Sequence, residues 1–244
     1  MLNAQLKDIV GPETFSIATD LVPKFGLQHI HQLIKCRYEG QLDTGRMMHA
    51  LLAFAREVGI EIVNGMAVDA VSETGNGVAV QLANMLEIPC SGVVIATNGF
   101  AQQLLPDLDV APARAQVLIT KPVANLPIRG TFHYEKGYYY FRDVGQRLLF
   151  GGGRNLDPTS ETTTTLKTST NVQEALDTIL REVILPNHPF EVEHRWAGVM
   201  GMGNFKLPIV KKTSKNVVCA VRLGGMGVAL GSLVGQEAAE LITT

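Results

Sequence analysis

The apolar run Val217-Val-Cys-Ala-Val221 leads almost directly into Gly224-Gly-Met-Gly227 and then into a helix-spaced stretch through Leu241, and it constrains the fold more than any other segment. A strand that ends in clustered glycines and resumes as a helix can turn this tightly because glycine accepts left-handed backbone angles. Such a turn bares backbone N–H groups and aims the positive end of a helix dipole at something electron-rich. Glycine clusters also make ordinary turns, so the motif takes its meaning from its surroundings.

Those surroundings are a second strand and a long insertion. Ser91-Gly-Val-Val-Ile-Ala-Thr97 is apolar on both faces and predicts a central parallel strand covered on each side. Its carboxyl end, Ala96-Thr97-Asn98-Gly99, is where open α/β sheets place ligands. Between this strand and the terminal strand-turn-helix, the pattern changes to antiparallel sheet. Gln116–Thr120, Gly137–Arg142, Arg147–Phe150, Phe190–Arg195 and the residues around Pro208-Ile-Val210 read as strands. Thr170-Asn-Val-Gln173 reads as a capping box opening a helix whose apolar face is Val172, Leu176, Ile179, Leu180 and Val183. A parallel nucleotide-binding sheet interrupted by a substrate-covering antiparallel sheet produces this order, an α/β (mixed α+β) class.

The amino-terminal part is less regular. Residues 1–37 are helical in tendency, with a break at Gly11-Pro12 and a helical stretch predicted near Leu27–Ile34. Met47, Met48, Leu51, Leu52 and Ala55 predict a helix capped by Asp43 or Thr44 and stopped at Gly59. Ile60–Val63 reads as a short strand, and Ala67–Val71 with Gly77–Leu82 as a hairpin.

Composition excludes several classes. Twenty-one Lys+Arg against 23 Asp+Glu, without a basic stripe, give nucleic-acid binding no electrostatic support. Cys36, Cys90 and Cys219 form no CxxC pair, and the six histidines show no ligand spacing, so no metal site is expected. No apolar run is long enough for a membrane span, and no signal-peptide pattern is present, which points to a cytoplasmic protein. No GxSxG or Cys/His signature marks a nucleophile, a pattern that suits hydride chemistry carried by a cofactor.

Several motifs in order carry a family resemblance: Tyr38–Gly45, the hairpin beginning at Val68, Val93–Asn98, Arg114–Thr120, Tyr138–Arg142, Gly151-Gly-Gly-Arg154, Arg195-Trp-Ala-Gly198 and Leu223–Ser232. The set resembles the D-amino-acid-oxidase-like family of FAD-dependent amine and amino-acid oxidoreductases. The resemblance implies oxidation of a C–N bond by hydride transfer to flavin, on a small amine or amino acid. By it, Val68 would lie on the adenine side of FAD, and Ala96, Thr97, Asn98 and Gly99 would border the cofactor. Gly224, Gly225, Met226, Gly227, Val228 and Ala229 would hold the flavin's pyrimidine edge. Tyr140, Arg142, Trp196, Met200 and Arg222 would stand on the substrate side. Met200 occupies a position where amino-acid-oxidising members often carry an arginine, so Arg222 or Arg142 would have to hold a substrate carboxylate, unless the substrate is a plain amine.

The resemblance also implies the domains: 1–37 as a helical segment of the substrate domain, 38–110 with 212–244 as part of the FAD-binding domain, and 111–211 as the substrate-binding sheet. Nothing in residues 1–60 resembles the family's strand-GxGxxG-helix start. The expectation is a truncated product, a fragment, or a chain completed by a separate N-terminal half, with FAD belonging to the complete protein and an exposed sheet edge favouring a homo-oligomer. The alternative function is a cofactor-free binding or interaction module that keeps the fold.

Overall fold

The structure is a computed structural model that describes residues 2–244. Its elements in order are α1 (Leu2–Leu6), β1 (Phe15–Ile17), β2 (Ile34–Cys36), α2 (Thr44–Glu57), β3 (Val68–Thr74), β4 (Gly77–Leu82), β5 (Glu87–Cys90), β6 (Val93–Ile95) and β7 (Ala111–Thr120). There follow β8 (Thr131–Tyr134), β9 (Tyr139–Val144), β10 (Arg147–Gly152), α3 (Thr170–Ile179), β11 (Val192–Met202), β12 (Ile209–Ser214), β13 (Val217–Val221) and α4 (Gly227–Thr243). The chain divides into two compact units, one of Met1–Asp43, Ala115–Pro158 and Lys167–Ala197, the other of Thr44–Arg114, Thr159–Leu166 and Gly198–Thr244.

In the first unit the sheet order is β11-β7-β10-β9-β8, with β9 and β10 joined as an antiparallel hairpin. Alternation along β9 sends Tyr139 and Phe141 into the core, where Phe132 stacks on Phe141 at 4.7 Å between ring centroids. Helix α3 and the helical turn that continues it bring Val172, Leu176 and Leu180 into one core cluster with Leu118, Leu148 and Phe150, all of them buried. Each such side chain contributes about 1.5–3 kcal/mol by leaving water.

In the second unit β13 lies between β12 and β6, antiparallel to the first and parallel to the second. Every residue of β13 is buried, because Val217, Cys219 and Val221 pack into one core cluster and Val218 and Ala220 meet Val234 and Ala238 of α4 on the other face. A separate sheet, β3-β4-β5, carries Glu73, whose carboxylate accepts from Ser214 Oγ at 2.6 Å and Asn216 N at 2.7 Å. The mixed α/β class and the strand-turn-helix at the end agree with the sequence reading.

Five local readings need correction. Residues 27–33 form no helix; Gly26 and His29 take φ of 68° and 58°, which a right-handed helix cannot contain. The 1–37 segment instead holds α1, two short 3₁₀ turns and the β1–β2 ladder. Ile60–Val63 is irregular, with no ladder partner among the described residues. Strand β6 is an edge of its sheet, and Val94 is 39% exposed, so it is not covered on each side. The capping box does not form. Ser169 is the N-cap, and Gln116 of β7 accepts from Ser169 N at 2.9 Å and from Gln173 Nε2 at 3.1 Å, drawing the Gln173 side chain away from the helix start. Finally, the glycine-rich stretch from Trp196 continues β11 as far as Met202.

Candidate functional site

Three segments of the second unit meet at the head of α4. The first is Thr97-Asn98-Gly99, where the chain leaves β6; Asn98 adopts φ 47°, a left-handed conformation that asparagine tolerates better than most residues. The second is the end of β11. A Cβ on Gly99 would stand 2.6 Å from Met200 O, and one on Gly201 would stand 2.5 Å from Asn98 Oδ1, so both positions need glycine for the backbones to touch. The third is the turn after β13. Leu223 N donates to Asn98 Oδ1 at 3.1 Å, and Gly224 N donates to Gly201 O at 3.0 Å.

Those bonds divide the turn's amides into two groups. Leu223 and Gly224 spend theirs on protein acceptors, and Met226 N returns to Leu223 O at 2.8 Å. The N–H groups of Gly225, Gly227 and Val228 have no acceptor among the described residues, the last two being the opening positions of α4. A Cβ on Gly224 would meet nothing within 4 Å, and one on Gly225 would meet the Met200 sulfur alone, at 3.3 Å, so the outer face of the turn is open. Unpaired amides at a helix N-terminus beside open glycine backbone form a donor set suited to an electron-rich edge. The residues present therefore fit a flavin. Ala96 and Thr97 precede this cluster directly, and Met226 and Ala229 frame the first turn of α4; Val68 heads β3 in the separate sheet.

The residues expected on the substrate side fall into both units. Tyr140 and Arg142 share the face of β9 opposite the buried Tyr139 and Phe141. The Tyr140 ring lies across Gly151, where a Cβ would come within 2.7 Å of the hydroxyl oxygen. Burial pushes the Tyr140 hydroxyl above its ordinary value, so it remains a neutral donor. The Arg142 guanidinium makes a long 3.5 Å contact to Asp143 O. Trp196 is 41% exposed and follows Arg195, which is fixed to Gln173 at 2.7 Å and to both carboxylate oxygens of Asp177.

Met200 and Arg222 belong to the second unit. Arg222 has φ 64°, is 8% exposed, and donates to Asp109 Oδ2 at 2.6 Å and to Leu207 O at 2.8 Å. These bonds tie Arg222, at the start of the turn, to Asp109 and Leu207. Sequence reasoning missed three members of this site. Asp109 carries no local signal, whereas Gly201 could have been singled out within its glycine-rich run and Leu223 from its place beside Gly224.

The chain folds like several solved enzymes. It is similar to glycine oxidase from Geobacillus kaustophilus, at 18% identity and a TM-score of 0.83 over 99% of this chain and 65% of that one. It is also similar to L-proline dehydrogenase from P. horikoshii, at 20% identity and a TM-score of 0.78 over 99% of this chain and 67% of that one. The bifunctional protein ThiO/ThiG of Synechocystis sp. is 29% identical over 80 residues, which are 33% of this chain and 12% of that protein. The chain thus spans about two thirds of the length of these solved structures. The profile of one family matches nearly the whole sequence, from residue 6 to residue 241, and the chain belongs to that family, the FAD dependent oxidoreductases (DAO).

Proposed function

We propose that the turn from Leu223 to Ala229 holds the edge of a flavin, in an FAD-dependent oxidoreductase acting on the C–N bond of a small amine or amino acid. The observation that carries this reading is the trio of amides at Gly225, Gly227 and Val228, left without acceptors while their neighbours are pinned. Bound FAD would supply a hydride acceptor. The protein's part is to present fixed dipoles to the flavin edge, where they need no reorganisation as charge develops.

Within the same reading, the family resemblance offers Arg142 or Arg222 for a substrate carboxylate, and Arg222 already holds Asp109 and Leu207. A guanidinium can bind a carboxylate through two parallel hydrogen bonds, which would favour an amino acid over a plain amine. Tyr140, on the same face, adds a neutral hydroxyl donor. The similarity in fold to a glycine oxidase and a proline dehydrogenase supports an amino-acid substrate class.

The test is a titration of the purified chain with FAD, followed by a screen of amino acids and amines for bleaching of the bound flavin. A yellow complex reduced by a substrate is expected. A protein that takes up no FAD overturns the reading for this chain and leaves the cofactor-free binding module. If Arg142→Met raises KM for an amino acid while leaving an amine unaffected, the carboxylate role stands; equal effects on both exclude it.

A further inference from the structure

We infer that Asn98 is a positioning residue, whose side-chain carbonyl fixes the turn that offers its amides to the cofactor. This inference rests on the reading of that turn as a flavin-edge contact. Leu223 N can only donate, so the atom facing it at 3.1 Å must be the Asn98 carbonyl oxygen, and the orientation of the side-chain amide follows. The same oxygen occupies the space that a Cβ on Gly201 would need, at 2.5 Å. Gly201 in turn accepts from Gly224 N at 3.0 Å. One side chain thus links the exit of β6, the end of β11 and the turn after β13.

The latch has a second anchor on its other side. Arg222 immediately precedes Leu223 and is held by Asp109 and Leu207 O. With Arg222 fixed by its side chain and Leu223 by its backbone N–H, two successive residues set the direction in which the chain enters Gly224-Gly225. Gly225, Gly227 and Val228 inherit their placement from these bonds. The left-handed φ of Asn98 matters equally, because it brings the side chain back toward the turn while the backbone continues into the 3₁₀ segment Asn98–Gln103. An alanine would lose the acceptor and be strained as well, which would confuse the two effects. Glycine tolerates φ 47° and removes the acceptor alone, while aspartate keeps an acceptor in place.

The experiment compares wild type, Asn98→Gly and Asn98→Asp in the full chain by amide hydrogen exchange, FAD titration and the midpoint potential of the bound flavin. In Asn98→Gly, the Leu223 and Gly224 amides are expected to exchange roughly tenfold faster, with a comparable rise in the FAD Kd, the scale of one lost hydrogen bond. The midpoint potential should also move to more negative values, a shift that a purely structural role would not produce. Asn98→Asp should restore protection at Leu223. Unchanged exchange at Leu223 in Asn98→Gly overturns the positioning role whether or not flavin binds. Altered exchange with an unchanged Kd and potential overturns its relevance to the cofactor. Absence of FAD uptake by the wild type, with exchange altered as expected, overturns the functional reading and leaves Asn98 a structural latch.

Discussion

Arg222 and Asp109 form a 2.6 Å ion pair that fastens the left-handed start of the glycine turn to the segment before β7. The arginine side chain is 9% exposed and the aspartate 37%, so the cation is the member that cannot be left alone. Asp109→Ala is expected to destabilise the chain by about 1–3 kcal/mol, the range for a lost hydrogen bond to a charged group. Denaturant titration measures this, and a change within error would show that the backbone carbonyls of Leu207 and Asp109 suffice for Arg222.

The glycines of the site should separate sharply from those of the adjoining helix. Gly99→Ala and Gly201→Ala each force a methyl group against neighbouring atoms at 2.6 and 2.5 Å, and a loss of at least about 1–3 kcal/mol is expected, as for other overpacked sites. Gly231 lies within α4 with nothing near its missing Cβ, so Gly231→Ala should stabilise by roughly 0.5–1 kcal/mol. Thermal melts of the three variants give the comparison. Similar behaviour in all three would contradict the close approach of β11 to Asn98.

The threonine-rich loop from Pro158 to Thr165 conceals an internal ion pair. Glu161 is 1% exposed and receives Arg114 Nε at 2.8 Å and Nη2 at 2.6 Å. Removing one partner strands a buried charge, so Glu161→Ala should cost about 3–5 kcal/mol, whereas a joint apolar replacement of both should cost much less. A double-mutant cycle in urea decides the matter, and additive losses would refute the pairing.

Acid should loosen the link between the β3–β4 hairpin and the β12–β13 turn. The hydrogen bond from Ser214, reinforced by Asn216 N, holds the Glu73 carboxyl below its ordinary value of 4.5. A carboxylate with a lowered folded pKa stabilises fully above that ordinary value, and its contribution fades as pH falls through the folded one. The difference in stability between wild type and Glu73→Gln should therefore be constant near neutrality and shrink below about pH 4.5, read from melts across a pH series. A difference independent of pH in that window would rule out the ionised contact.

Legibility from sequence followed the range of the forces involved. The strand-turn-helix at Val217–Leu241 was readable because its signals are local: an apolar run, clustered glycines, then helical spacing. The position of β6 at a sheet edge was not, since an apolar strand looks the same whether one neighbour or two will cover it. Leu27–Ile34 misled because its apolar spacing is helical while the backbone at His29 is left-handed, and Leu27 reaches the core without a helix. The commitment of Arg222 was invisible because Asp109 lies 113 residues away and carries no motif. Asn98 could be placed at the ligand end of its strand, but its bond to Leu223, across 125 residues, is a product of the tertiary fold.

Gln116 has a consequence for how the first unit opens. Its side chain, on β7, accepts from the backbone N–H of the N-cap Ser169 and from Gln173 one turn later, while Arg195 of β11 donates to the Gln173 side-chain oxygen. The start of α3 is thus tied to two strands, through its N-cap backbone and through the Gln173 side chain. Fraying, which normally begins at a helix terminus, would here require the strands to separate as well. The helix and the β7–β11 edge should consequently behave as a single cooperative unit, losing their slowest-exchanging amides together and not one after the other.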